Sequence, residues 1–245
     1  MDARNEFQLT EQQWLESADP AGLISHLVAI DRLRAREGDL AKERQLRLLG
    51  VACCRHIQHW SAHPIISATI DAAEKFADGE INPDNLYELR EAIEKVGYPS
   101  DAQNLPDGRG GSPQLRLARA VSLIPRFDDG WVYYNHIWEV LYEIGVRYPE
   151  TEEERANAEA VAAQLRDIFG NPFRPVIFNP AWRTSDVLAL ARSIYDERAF
   201  DRMPILADAL QDAGCNNADI LSHCRDTSLT HVRGCWVVDL VLQKE

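Results

Sequence analysis

Apolar residues return at steps of three and four along almost the whole chain, and most runs are bracketed by a recognisable start and stop. That period places one apolar stripe on each of a series of helices, and no strand-like alternation persists for five residues. Thr10 is followed three residues later by Gln13, the spacing of a capping box, with Leu9 and Trp14 placed as a hydrophobic staple. Asp19-Pro20 reads as an N-cap and first helical residue ahead of Leu23, Ile24, Leu27 and Ile30. Leu46, Leu49, Cys53, Ile57 and Trp60 share one face, and His63-Pro64 closes that run because the residue before proline leaves the helical region. Ile66, Ile70, Ala73 and Ala77 repeat the pattern up to Gly79, and Asn82-Pro83 restarts it.

Two stretches break the pattern. Residues 98–113 hold Pro99, Pro106, Gly108, Gly110, Gly111 and Pro113, which reads as a loop or linker. Residues 171–180 hold three prolines and read as extended backbone. Between and beyond them, Thr151 with Glu154 forms a second capping box, Thr184 caps a helix, and a last helix is expected from about His231 to Leu242. The expected fold is therefore all-α, with nine to eleven helices and no substantial sheet. It is divided into a lobe over residues 1–97, the stretch 98–113, and a lobe over 114–245, or forms one continuous domain. No repeat of 20–50 residues is visible, which argues against a solenoid.

The net charge of −13 disfavours nucleic acid as a partner, because a polyanion is repelled by such a field. No apolar run is long enough for a membrane span, and the first residues do not read as a signal peptide. Five cysteines, two of them adjacent, do not suit a disulfide framework, so reduced thiols in a cytoplasm are expected.

Several motifs carry a resemblance. They are Leu9-Thr10-Glu11 with Trp14-Leu15, Ala52-Cys53-Cys54-Arg55, Asp167-Ile168-Phe169-Gly170-Asn171-Pro172-Phe173-Arg174-Pro175, Tyr195-Asp196-Glu197-Arg198-Ala199-Phe200-Asp201-Arg202 and His231-Val232-Arg233-Gly234-Cys235-Trp236. In these the chain resembles a large paralogous family of planctomycete proteins. The resemblance implies no catalytic or binding residue. The paralogy it implies fits interaction or regulatory modules better than a housekeeping enzyme.

The densest group of metal-ligating residue types is near the end of the sequence: Cys215, His223, Cys224, His231 and Cys235. A zinc ion takes about four thiolate or imidazole ligands in a tetrahedron. His231 and Cys235, four apart, would face one ion from one helical turn; Cys215 would approach from the side, and His223 or Cys224 would complete the set. The competing reading is burial as small hydrophobes and locally bonded histidines. His56, His59 and His63 would align only if the helix continued past Pro64. Cys53 and Cys54 invite a redox reading but fall with the apolar face.

Gly108-Arg109-Gly110-Gly111-Ser112 could hold an anion at a helix start, yet it lacks the lysine of a phosphate-binding loop. Arg174, in the rigid segment between Phe173 and Pro175, could clamp a carboxylate within the protein or on a partner; Arg233 is open to the same reading. Asp196, Glu197, Asp201, Asp208 and Asp212, interleaved with Arg198 and Arg202, read as a solvated face. No Ser-His-Asp order or nucleophile elbow is present. These observations favour a non-enzymatic protein-interaction or regulatory module, an adaptor or immunity-like protein, with another protein as partner and no cofactor. The alternative is a metal- or thiol-dependent enzyme, or a structural zinc protein, built on the Cys/His group.

Overall fold

The structure, a computed structural model, describes residues 8–30, 40–97, 112–124 and 133–244. Twelve α-helices and no strand occur among them, an all-α architecture with one helix more than the upper expectation. They are α1 (Glu11–Glu16), α2 (Pro20–Ala29), α3 (Leu40–His56), α4 (Pro64–Ala77), α5 (Pro83–Gly97) and α6 (Pro113–Leu123), followed by α7 (Tyr133–Glu143), α8 (Glu152–Phe169), α9 (Ser185–Glu197), α10 (Met203–Asp212), α11 (Ala218–Arg225) and α12 (Trp236–Leu242). None of the helices is long and apolar enough to cross a membrane, among the described residues.

The starts follow from local chemistry. At α1 the Thr10 hydroxyl accepts from the Gln13 amide at 3.2 Å while the Gln13 side chain accepts from the Thr10 amide at 2.8 Å. Asp19 accepts from the Ala21 amide at 2.9 Å ahead of Pro20. The adjoining loop is tied down by His26, whose Nδ1 lies 3.0 Å from the Leu9 amide nitrogen. Burial lowers the pKa of His26.

The chain divides into two compact units, residues 1–162 and 163–245. That division falls inside α8 rather than at residues 98–113, most of which lie outside the described residues. The helices flanking that stretch, α5 and α6, pack against each other within the first unit. The first unit is built from α3 against α4, α4 against α5, and α6 against α7, around Leu46, Leu49, Cys53, Ile70, Leu117, Val121 and Leu141, all fully buried. The stripe read from the sequence is thus the core face.

Glu154 shows how one residue fixes a helix start. Its carboxylate accepts from the Glu150 and Thr151 amides at 2.9 and 3.3 Å and from Arg116 Nη2 at 3.1 Å. Burial alone would raise its pKa; the two amides and the Arg116 guanidinium outweigh burial and hold it below the usual carboxylate range. A depressed carboxylate contributes stability above its unfolded-state pKa, and that contribution is lost as pH falls through the folded value. Glu154→Gln is therefore expected to cost about 1–2 kcal/mol at neutral pH. The gap to the wild type should close in acid, as read by urea melts at the two pH values.

The second unit has its own core. Val187, Ala191, Ile194 and Tyr195 of α9, Leu206 and Leu210 of α10, Ile220 of α11 and Val237, Val238 and Val241 of α12 form one buried cluster. Two arginines tie its helix ends. Arg183 donates to the carbonyls of Leu240 and Val241 at the end of α12, at 2.7 and 3.1 Å. Arg233 donates to the Tyr195 and Asp196 carbonyls at the end of α9, at 3.1 and 3.3 Å. Arg233 is thus an internal clamp.

Candidate metal centre

Four side chains of the second unit meet. Asp167 comes from the last turn of α8, His223 from α11, His231 from the loop before α12, and Cys235 from the N-cap of α12. One ligating atom from each lies within 4.8 Å of every other. Asp167 Oδ1 is 2.7 Å from His231 Nδ1 and 3.1 Å from His223 Nε2. Cys235 Sγ is 3.4 Å from His223 Nε2 and 3.8 Å from His231 Nδ1. In a tetrahedron built on ordinary zinc bond lengths, N and O stand about 3.3 Å apart and N and S about 3.6 Å. Four of the six edges fall within about 0.6 Å of those values, and no pair of the four atoms is more than 4.8 Å apart.

The atoms that converge also separate this arrangement from a catalytic triad. In a triad one ring nitrogen faces the acid and the other faces the nucleophile. Here the same nitrogen of each histidine faces both Asp167 Oδ1 and Cys235 Sγ, so both rings point at a shared centre. The second carboxylate oxygen of Asp167 is occupied: it accepts from the Val232 amide at 2.8 Å. That bond orients the carboxylate and leaves Oδ1 for the centre.

Charge supplies a further constraint. The side chains of Asp167 and His231 are almost fully buried, and so is Cys235. Burial would raise the pKa of Asp167, but hydrogen bonds from His223 and His231 overcome it and hold the carboxyl below its ordinary range. Burial, together with the neighbouring Asp167 and Cys224, pushes the Cys235 thiol well above its ordinary range, against the Val237 and Val238 amides. A divalent cation reverses the thiol's position, because a coordinating thiol is deprotonated outright. One carboxylate, one thiolate, two neutral imidazoles and a dication sum to zero, the net charge that costs least to bury. Sulfur, nitrogen and a single oxygen in four-fold geometry suit zinc, whereas calcium and magnesium need six or more oxygens.

Of the five candidate ligands read from the sequence, His223, His231 and Cys235 come together. Cys215 and Cys224 do not join that group; they are buried in the apolar cluster of the second unit, to which Cys235 also belongs. Adjacent helical residues point about 100° apart, so on α11 His223 and Cys224 cannot both face the centre. The expected last helix over 231–242 is shorter: it starts at Trp236, since Cys235 closes a turn on Val232 with Gly234 at φ 93. His231 and Cys235 thus converge through a turn, not along a helix. Asp167 is the candidate ligand that spacing missed. Its signal was local: an acid in the last turn of a helix opposes the helix dipole, and it needs a compensating partner.

The remaining candidates do not join this group. His56 ends α3 and bonds Asn157 at 3.0 Å, His59 sits in a short 3-10 turn, and His63 caps α4. Arg109 lies outside the described residues, and Ser112 makes no side-chain cap bond at α6. Arg174 Nη1 is 3.7 Å from Asp219 Oδ1, an exposed pair within the protein. Glu197 pairs with Arg202 at 3.2 Å and Asp208 with Arg225 at 2.8 Å, as a solvated face would.

All five cysteines are free and buried. Burial pushes Cys53 up to about 12 and Cys54 well above its ordinary range. Burial, with Asp167 and Cys215 adding to it, takes Cys224 up to about 12. Fewer than one thiol per native chain is expected to react with an aromatic disulfide reagent within minutes at neutral pH, and all five in denaturant. Fast reaction at Cys53 or Cys54 would contradict core packing.

No family model, curated protein or solved structure matches this chain.

Proposed function

We propose that residues 163–245 form a zinc-stabilised helical module and that the ion's work is structural. The observation that carries this is the convergence of Asp167, His223, His231 and Cys235 on one point. A shell of four protein ligands is closed, whereas a catalytic zinc keeps one position open for water or substrate. Elemental analysis of the purified full chain tests it. About one zinc per chain is expected, and Asp167→Ala and Cys235→Ser should each remove most of it. Wild-type protein that carries no transition metal and takes up no zinc on reconstitution would overturn the reading.

The wider role in this proposal is binding to another protein, without catalysis, in a reducing compartment such as the cytoplasm. A closed shell gives a substrate no place at the ion, and five free thiols suit such a compartment. The paralogy implied by the planctomycete resemblance supports the same role. One surface feature favours it: Ile177, in the proline-bracketed segment before α9, is 89% exposed while the adjacent Phe178 is buried. A partner retained from source lysate by wild-type protein and lost with Ile177→Asp, at unchanged zinc content, is the expected result. Identical retention by the two proteins would count against this surface.

A further inference from the structure

The proposed zinc centre has one ligand nearer to solvent than the others for which side-chain exposure separates them. His223 is 13% exposed, against 4% for His231 and 3% for Asp167. Its ring is held from two sides. His231 lies edge-on, with centroids 4.9 Å apart at 74°, and Trp236 lies against it at 5.0 Å and 48°. Trp236 in turn rests on bare backbone. A Cβ on Gly170 would come 3.3 Å from its Cγ and 3.4 Å from its Cδ2. Gly170 follows α8 at φ 64, where a side chain is strained in any case. The indole therefore touches both Gly170 and the imidazole of His223. The indole sits where it can fix the ring plane of His223 and so the direction of Nε2.

We infer that Trp236 is a positioning residue for His223, and that the ion leaves and enters this centre by exchange of His223 for water. In that step the Nε2–metal bond breaks, the imidazole leaves neutral, and a water oxygen takes the vacated position. No oxidant or net proton transfer is involved. Asp167, pinned through its second oxygen by the Val232 amide, and His231 and Cys235, on the turn that follows, hold the ion meanwhile. Trp236 then sets how tightly zinc is held and how fast it is passed to a competing chelator. This inference rests on the zinc reading above.

The test uses the full chain loaded with zinc, with transfer to the chromogenic chelator pyridylazoresorcinol followed in time. Trp236→Ala is expected to weaken zinc about 10- to 100-fold, the usual effect of losing a ligand's supporting contact, and to speed transfer by a similar factor. Its cobalt-substituted form should show altered ligand-field bands. Trp236→Phe, which keeps an aromatic face, should stay within about threefold of wild type by the same reasoning. Gly170→Ala displaces the indole without removing it and should move transfer in the direction of Trp236→Ala, which keeps the test decisive if that variant does not fold.

Trp182→Ala separates positioning from simple loss of stability. Trp182 packs against Phe178 at 5.3 Å, so its loss should lower the melting temperature with the cobalt bands unchanged. Transfer at the wild-type rate in Trp236→Ala, or equal acceleration by Trp182→Ala, would overturn the inference while leaving the zinc reading intact. A wild-type chain that binds no zinc would overturn the zinc reading itself.

Discussion

Stripping zinc from the full chain is expected to destabilise residues 163–245 by about 4 kcal/mol relative to protein held at a thousandfold excess over its dissociation constant. The size follows from what the ion would join. Asp167 and His231 are 64 residues apart in sequence, and the two remaining ligands come from α11 and the start of α12. Four segments that separate in the unfolded chain would be held at one point, and a unit this small has a limited core with which to compensate. Without the cation, Cys235 would return to a neutral thiol and the buried Asp167 carboxylate would keep only its histidine and amide partners. Hydrogen exchange should localise the effect. Peptides covering α11, the following loop and α12 are expected to lose protection on chelation and regain it with zinc, while α3 to α6 stay unchanged. Protection that ignores chelator in protein shown to have carried zinc would mean the ion is bound but does not hold the fold.

Among the described glycines of the first unit, Gly145→Ala should be the costliest replacement, at about 2–4 kcal/mol. Gly145 closes α7 at φ 81, with its amide bonded to the Tyr142 carbonyl at 3.0 Å. Left-handed backbone costs an alanine about 1 kcal/mol. The larger part comes from space: the position a Cβ would take is filled by the Glu154 carboxylate and the Arg116 guanidinium. The methyl group must displace the ion pair that caps α8, and a buried charge deprived of its partner is expensive. Gly79→Ala is the matched control. Gly79 has φ 71 but nothing within 4 Å of a Cβ, so only the backbone strain of about 1 kcal/mol remains. Urea melts of the two variants should differ by at least about 1 kcal/mol. Equal costs would show that Arg116 and Glu154 move aside freely.

Much of the helical order was legible because its causes are local. The Thr10–Gln13 and Thr151–Glu154 boxes, the Asp19 cap and the Thr184 cap all reappear as hydrogen bonds between residues two or three apart. The face formed by Leu46, Leu49, Cys53 and Ile57 is the buried one for the same reason, since a period of 3.6 fixes which side chains share a side. Spacing misled where a turn stood in place of a helix. His231 and Cys235 look like one helical turn, but the left-handed Gly234 places them on a loop and a cap. It also misled where two neighbours seemed equivalent, as with His223 and Cys224.

What the sequence determined by itself is therefore a set of helices with their ends and inward faces, because backbone capping and amphipathic period act within a few residues. The partners of each buried polar group came only with tertiary structure. By spacing alone, Asp167 is one more acid on a long helix. It becomes the anchor of a candidate metal centre because folding brings His223, His231 and Cys235 to its carboxylate. Burial then turns an ordinary acid into a charge that must be matched, and no local pattern encodes which distant residues will match it.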